Sequence, residues 1–311
     1  RLISSERERF HIWCECVLTS EKVIQLVNYW YFQIQSKSSS IFRSRNHSIM
    51  ENLPSNDEVV QMISQLLVPD TTTVTGATAF FKKYLERIES VEVILTILIT
   101  HENDSIRHWA GILLTKRLTL HWNDLPEEVK NKIKNILLER LITEPVFPIK
   151  KSIALNIQLL CDIVLPNNEW SDLFSSLANL TSHENSRVRE IALVTIGMVS
   201  EKHDYYLRPD FTGLSTLYKK CLEDPEAGVR VECVRAIGAI VGSLQDQAEC
   251  MQFQDLIDKI LAGIETAVET GNDEVVSFMF QIFGDVVESR VPFLSTRLLE
   301  VTAFAIDRIV L

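Results

Sequence analysis

The chain has 311 residues with 10 Gly, 9 Pro and 46% apolar side chains, and 31 basic residues against 42 acidic ones give a net charge of −11. So little Gly and Pro argues against an all-β sandwich or barrel, whose tight turns consume both, and against collagenous or linker-dominated chains. The charge is uneven: residues 1–49 are net +3, residues 50–222 net −4, and residues 223–311, with 6 basic and 16 acidic side chains, net −10. Such an acidic field disfavours contact with a phosphate backbone and attracts basic ligands.

The first 49 residues read as a separate extension, disordered or partly helical. They are basic, carry two of the five tryptophans and a Cys14-x-Cys16 pair, and close on a Ser/Arg-rich run. Met50 is the expected start of the main domain, residues 50–311. The first helix is expected to begin with Asn56 or Asp57 as its N-cap. From there on the hydrophobic period stays near 3.6. Trp170, Leu173, Phe174 and Leu177 make one stripe, and Phe253, Leu256, Ile257, Ile260, Leu261 and Ile264 another, each at amphipathic-helix spacing.

A longer period lies over the helical one. Val188-Arg189 is followed by Ala192, Ile196 and Gly197, and Val229-Arg230 by Cys233, Ile237 and Gly238, at identical offsets. Ile106-Arg107 with Ala110 and Leu114 keeps the pattern with Thr115 in the glycine place. Ile149-Lys150 is a looser copy, and Val275-Val276 keeps all but the arginine. The markers at 107, 150, 189, 230 and 276 are 43, 39, 41 and 46 residues apart. A drifting period of this size, with two helices per unit, predicts an all-α, right-handed α-solenoid of about six to seven HEAT repeats. The small residue and the glycine should let the second helix of each unit approach its hairpin partner. Asp104, Asp224 and Asp273 are placed to cap the second helices, and Arg107, Arg189 and Arg230 to pair with such carboxylates. The last helix is expected over residues 291–311.

Catalytic and metal motifs are missing. There is no Gly-x-x-x-x-Gly-Lys-Ser/Thr, Gly-x-Gly-x-x-Gly, Gly-x-Ser-x-Gly, Cys-x-x-Cys or His-Glu-x-x-His. No enzymatic activity, cofactor or metal is expected. His101 and His183 sit in inter-helix turns, and Cys233 occupies a small packing position where a buried, inert thiol is the default.

The most specific segment runs from Ser105 to Trp122 and on to Pro126. Its Arg107, Ala110, Ile112 and Leu114, a basic pair at Lys116 and Arg117, and Trp122 fifteen residues after the arginine are similar to the N-terminal domain of the importin-β (karyopherin-β) family. The run Leu66-Leu-Val-Pro-Asp70 with Ala77, and Tyr218 to Pro225, resemble its importin-four type. The resemblance implies a shuttling nuclear transport receptor of cytoplasm and nucleus. Ran in its GTP form would bind the second helices of the first repeats, within 77–87, 107–120 and 150–164, with Arg107, Lys116, Arg117 and Trp122 as the Ran-facing candidates. It also implies basic protein cargo, ribosomal-protein or histone-like, on the concave face, and FG-repeat nucleoporins between helices. Glu226, Glu232, Asp246, Asp273 and Glu274 are the acidic candidates for such cargo. The competing reading is a HEAT-repeat scaffold without Ran-dependent transport.

Overall fold

The computed structural model describes residues 54–288, 292–294 and 297–309. The basic extension with Cys14 and Cys16, and the expected start at Met50, lie outside them. By backbone contacts the chain divides into two compact units, Arg1–Thr78 and Ala79–Leu311. Fourteen α-helices and four short 3-10 turns are seen among the described residues.

The first unit contains α1 (Asn56–Leu66) and the beginning of α2 (Thr71–Tyr84). The cap of α1 is neither Asn56 nor Asp57 but Ser55. Its hydroxyl accepts from the Glu58 N–H while the Glu58 carboxylate accepts from the Ser55 N–H, a reciprocal capping box. Val59, Ile63 and Leu66 form the buried stripe of α1. Asp70 immediately precedes α2, with its carboxylate accepting from the Thr73 N–H at 2.7 Å.

The second unit is a stack of helix hairpins. They are α3 (Glu89–Thr100) with α4 (Asp104–His121), α5 (Glu127–Thr143) with α6 (Phe147–Val164), and α7 (Leu173–Leu180) with α8 (Ser186–His203). Next come α9 (Phe211–Cys221) with α10 (Ala227–Ser243), the short α11 (Gln247–Met251), and α12 (Leu256–Glu269) with α13 (Asp273–Glu288). The expected helix over 291–311 is instead a 3-10 turn, Pro292–Leu294, followed by α14 (Leu298–Ile309). The second helices α4, α6, α8, α10 and α13 pack one on the next, and they carry the deepest core. Ala110, Leu114, Ile153, Ile157, Ala192, Val229 and Cys233 are fully buried.

The glycines correct one expectation. A Cβ on Gly197 would lie 3.2 Å from the Ala236 Cα, and one on Gly238 would lie 2.8 Å from the Ile282 Cγ2. Both glycines therefore face the second helix of the following repeat, α10 and α13 respectively, not their own hairpin partner. The same geometry sets the row in parallel register, since each close approach joins positions about three turns into consecutive second helices. Gly197→Val should cost about 1–3 kcal/mol, because the obstacle is backbone that cannot rotate away. Gly242→Ala, whose Cβ would meet nothing within 4 Å, should gain about 0.5–1 kcal/mol from lost unfolded-state freedom. Urea melts of the two variants would check both signs.

Candidate functional site

The region around α4 is built by its first and last turns. Asn103 caps α4, its Oδ1 accepting from the Ser105 and Ile106 N–H groups. Asp104, the expected cap, is the first helical residue and pairs with Arg107 at 2.8 Å. The His101 Nδ1 accepts from the Asn103 N–H at 3.1 Å and so steadies the turn. Two repeats later the same triplet recurs. Asn185 caps α8 through the Arg187 N–H, and the His183 Nδ1 accepts from the Asn185 N–H at 3.0 Å. The repeated His-Glu-Asn was visible in the sequence as the signal for this role.

The arginines do two jobs. Arg107 Nη1 donates to the carbonyls of His101 and Glu102, Arg189 Nη1 to those of His183 and Glu184, and Arg230 Nη1 to those of Asp224 and Pro225. Each clamps the turn preceding its own helix, satisfying carbonyls that the first helix leaves orphaned. Lys150 does the same for Leu141 and Ile142. The remaining guanidinium nitrogens reach the next repeat. Arg107 Nε and Nη2 meet the two Glu144 oxygens at 3.2 and 2.8 Å, and Arg189 Nε and Nη2 meet those of Asp224 at 2.7 and 2.8 Å. These bidentate pairs are the strong kind of ionic hydrogen bond. Asp224 thus serves Arg189 and the Glu226 N–H, while α10 has no side-chain cap. The cap of α13 is shifted in the same way, with the Asn272 Oδ1 accepting from the Val275 N–H and Asp273 lying inside the helix.

Charge follows from these contacts. The Arg107 guanidinium is held above its ordinary value, chiefly by its Glu144 bond. Burial pushes the Glu144 carboxyl up, but the bonds from Arg107 and from the Val146 N–H outweigh it and leave the carboxyl below its usual range.

Trp122 begins the 3-10 turn after α4 and is fully buried. Its Nε1–H donates to the Glu169 Oε2 at 2.9 Å. Lys130 sits 5.8 Å over its ring, and Lys134 donates to the Glu169 carbonyl at 2.8 Å. Asn168, in the left-handed region at φ 54°, reverses the chain after α6 and brings Glu169 to that position. Among the four candidates for a Ran contact, Arg107 and Trp122 are therefore engaged inside the fold. Lys116 and Arg117 are half-buried on α4. Burial, helped by Arg117, pulls Lys116 down to about 8, and burial likewise lowers Arg117 against the opposing pull of Glu86.

The four acidic candidates whose side chains are described do not converge. Glu226 is exposed at the start of α10, and Asp273 at the start of α13. Asp246 lies beyond the other end of α10 and caps α11 through the Ala248 and Glu249 N–H groups. Glu232 is buried on α10, with Arg235 3.3 Å from its Oε2. Burial raises its carboxyl, and the Glu190 carboxylate on α8 adds to that. The Glu274 side chain lies outside the described residues. No group of three or more His, Cys, Asp and Glu able to hold a metal ion occurs among the described residues, and no helix there is long and apolar enough to cross a membrane.

Two protein families match in sequence. The family described as "Importin-beta N-terminal domain" matches residues 77–143, and "IPO5-like, TPR repeats" matches residues 149–304, half of the chain. The chain belongs to the importin-β family. Among importin-β relatives, "Probable importin subunit beta-4" of Schizosaccharomyces pombe is 30% identical over 148 residues, covering 47% of this chain and 14% of its own length. Importin-4 of Mus musculus is 23% identical over 251 residues, covering 79% of this chain and 23% of its own length. The chain therefore spans less than a quarter of either curated relative. Karyopherin Kap121p, solved bound to RanGTP, shares the fold with a TM-score of 0.68 at 17% identity, over 80% of this chain and 23% of that one. The α-solenoid of HEAT-type hairpins is thus the importin-β architecture.

Proposed function

We propose that this importin-β family chain acts as a nuclear import receptor. It binds Ran in its GTP form through the second helices of its first repeats and carries basic protein cargo along the second-helix row. It receives FG-repeat nucleoporins between its helices and shuttles between cytoplasm and nucleus, without enzymatic activity. The observation that carries the reading is the importin-β N-terminal match over residues 77–143. It encloses α4, the helix whose motif resembles the Ran-binding part of the family. A solved relative of the same fold was crystallised with RanGTP and, separately, with the nucleoporin Nup53p, which supports the partner classes.

On α4 the family resemblance implies Lys116 and Arg117 as contacts for the GTPase, whereas Arg107 is engaged with Glu144. For cargo, Glu226 and Asp273, both exposed at the same end of consecutive second helices, replace the wider acidic set as the first contacts for a lysine-rich segment. A pull-down with Ran locked in either nucleotide state tests the reading. Binding to the GTP form alone is expected, and the double variant Lys116→Glu/Arg117→Glu should weaken it by about tenfold or more. With Lys116 near 8, its positive charge is held at neutral pH and lost on raising the pH. Binding should therefore weaken between about pH 7 and pH 9 in the wild type and less so in Lys116→Arg. Equal capture of both nucleotide forms, or of neither by folded protein, would leave only the scaffold reading.

A further inference from the structure

The turn that leaves α8 carries two tyrosines that the core does not take up. Tyr205 is 70% exposed and Tyr206 37%, and both sit in the 3-10 turn Asp204–Tyr206 that follows α8 directly. Their rings meet at right angles, with centroids 5.6 Å apart and planes at 87°. The Tyr206 ring also lies 6.4 Å from that of His203, the last residue of α8. A perpendicular neighbour covers at most one face of a ring, so Tyr205 keeps an open face toward water. A single exposed aromatic side chain is ordinary. Two held against each other on a braced turn form a presented surface.

Charge braces the turn. Arg208 Nη2 donates to the Asp204 Oδ2 and Nη1 to the Glu249 Oε1 of α11, each at 2.8 Å, so one guanidinium ties the turn to α11. The other Glu249 oxygen is buried and receives no hydrogen bond. Asp162 of α6 places its Oδ1 3.1 Å from the His203 Nε2. Glu201 and Asp210 flank the turn in the chain, and both are exposed. Five carboxylates thus stand on or beside the turn against Lys202 and Arg208, and Arg208 is already engaged by two of them. An aromatic face set in excess negative charge attracts a cation in two ways, through the ring quadrupole and through the carboxylate field.

We propose that the open face of Tyr205 is a docking site for a lysine or arginine side chain in a basic segment of a partner protein. The stem or guanidinium plane lies on the ring, and the charge is held in the field of Asp204 and Glu249. The site rests on the basic-cargo part of the proposed function and adds an anchor to it. That anchor stands where α8 ends, whereas Glu226 and Asp273 stand where α10 and α13 begin. A rigid aromatic side chain supplies what separate carboxylates lack, an apolar contact area on which a flexible basic segment is seated in one place.

The test uses the full chain and a fluorescein-labelled peptide, Gly-Arg-Lys-Arg-Lys-Gly, followed by anisotropy, with Gly-Glu-Asp-Glu-Asp-Gly as the acidic control. The basic peptide should bind and the acidic one should not. Tyr205→Ala and Tyr205→Leu should each weaken binding by at least about threefold, whereas Tyr205→Phe, which keeps the ring face, should stay within about twofold. A second arm needs no variant. Tetranitromethane nitrates exposed tyrosines, and saturating basic peptide should slow nitration of Tyr205 by at least about threefold. Mass spectrometry of the tryptic peptide 203–219 reads this out, with the fully buried Tyr218 of the same peptide as the unreactive control. Binding of Tyr205→Leu as tight as wild type, or nitration of Tyr205 at an unchanged rate under the peptide, overturns the proposal and leaves the cargo reading on Glu226 and Asp273. If Glu226→Gln/Asp273→Asn leaves binding unchanged while Tyr205→Leu weakens it, the Tyr205 site stands and those cargo contacts fall. Failure of the folded wild type to bind the basic peptide overturns both.

Discussion

Glu144→Ala is expected to destabilise the protein by about 3–5 kcal/mol, the range for removing one partner of a buried ion pair. The Glu144 side chain is wholly buried and Arg107 nearly so. The carboxylate accepts from Arg107 twice, from Arg140 and from the Val146 N–H. Its removal leaves the Arg107 guanidinium inside the junction between the first two hairpins of the second unit, without its bidentate partner. Chemical denaturation followed by circular dichroism would measure the loss. Hydrogen exchange should place it at α4 to α6, because repeat arrays transmit stability mainly between neighbours. The effect depends on pH in a defined direction. Because the folded carboxyl titrates below its unfolded value near 4.5, its contribution is full above that value and fades as the pH falls through the folded one. Wild type and variant should therefore converge in acid. A variant as stable as the wild type at neutral pH would show that water, not the protein, satisfies Arg107.

Trp122→Ala should cost a similar amount, about 3–5 kcal/mol, because a fully buried indole is replaced by a cavity beneath the Lys130 stem. Trp122→Phe separates volume from hydrogen bonding. It keeps most of the ring but removes the indole N–H from the Glu169 carboxylate, which keeps Lys130 at 4.0 Å and partial access to water, and about 0.5–1.5 kcal/mol is expected. The comparison also bears on the Ran reading. If Trp122 acts only inside the fold, Trp122→Phe should leave binding to the GTP form of Ran within about twofold, after correction for the unfolded fraction. A selective loss of binding in a fully folded Phe variant would return Trp122 to the interface.

Much of the architecture was legible before any coordinates. The 3.6 period located α7 and α12, and the recurring Val-Arg with its small residue and glycine located the second helices. Both signals are local, and the second recurs at five markers, so degraded copies such as Val275-Val276 did not hide the series. Helix starts were less legible. Asp and Asn both favour caps and stand adjacent at 103–104, and again, in the order Asn-Asp, at 272–273. The backbone selects the residue with extended geometry, which is Asn103 in the first case. The candidate site was the least legible part. Trp122 read as a contact for Ran, and Arg107 both as such a contact and as a partner for a nearby carboxylate, yet the buried partners Glu144 and Glu169 lie 37 and 47 residues away.

The sequence by itself determined the class of fold, the repeat length, which helices are second helices and where their apolar stripes are buried. It does so because burial periodicity is a property of one helix and needs no partner to be seen. The tertiary structure alone decided which neighbour each buried position meets. Gly197 could face its hairpin partner or the next repeat with the same spacing, and the rotation of α8 against α10 chose Ala236. Arg107 could pair with any carboxylate in the turns within reach, and the stacking offset chose Glu144. Such pairings depend on helix rotation and offset, which are set by the fit of whole surfaces and leave no local trace in the chain.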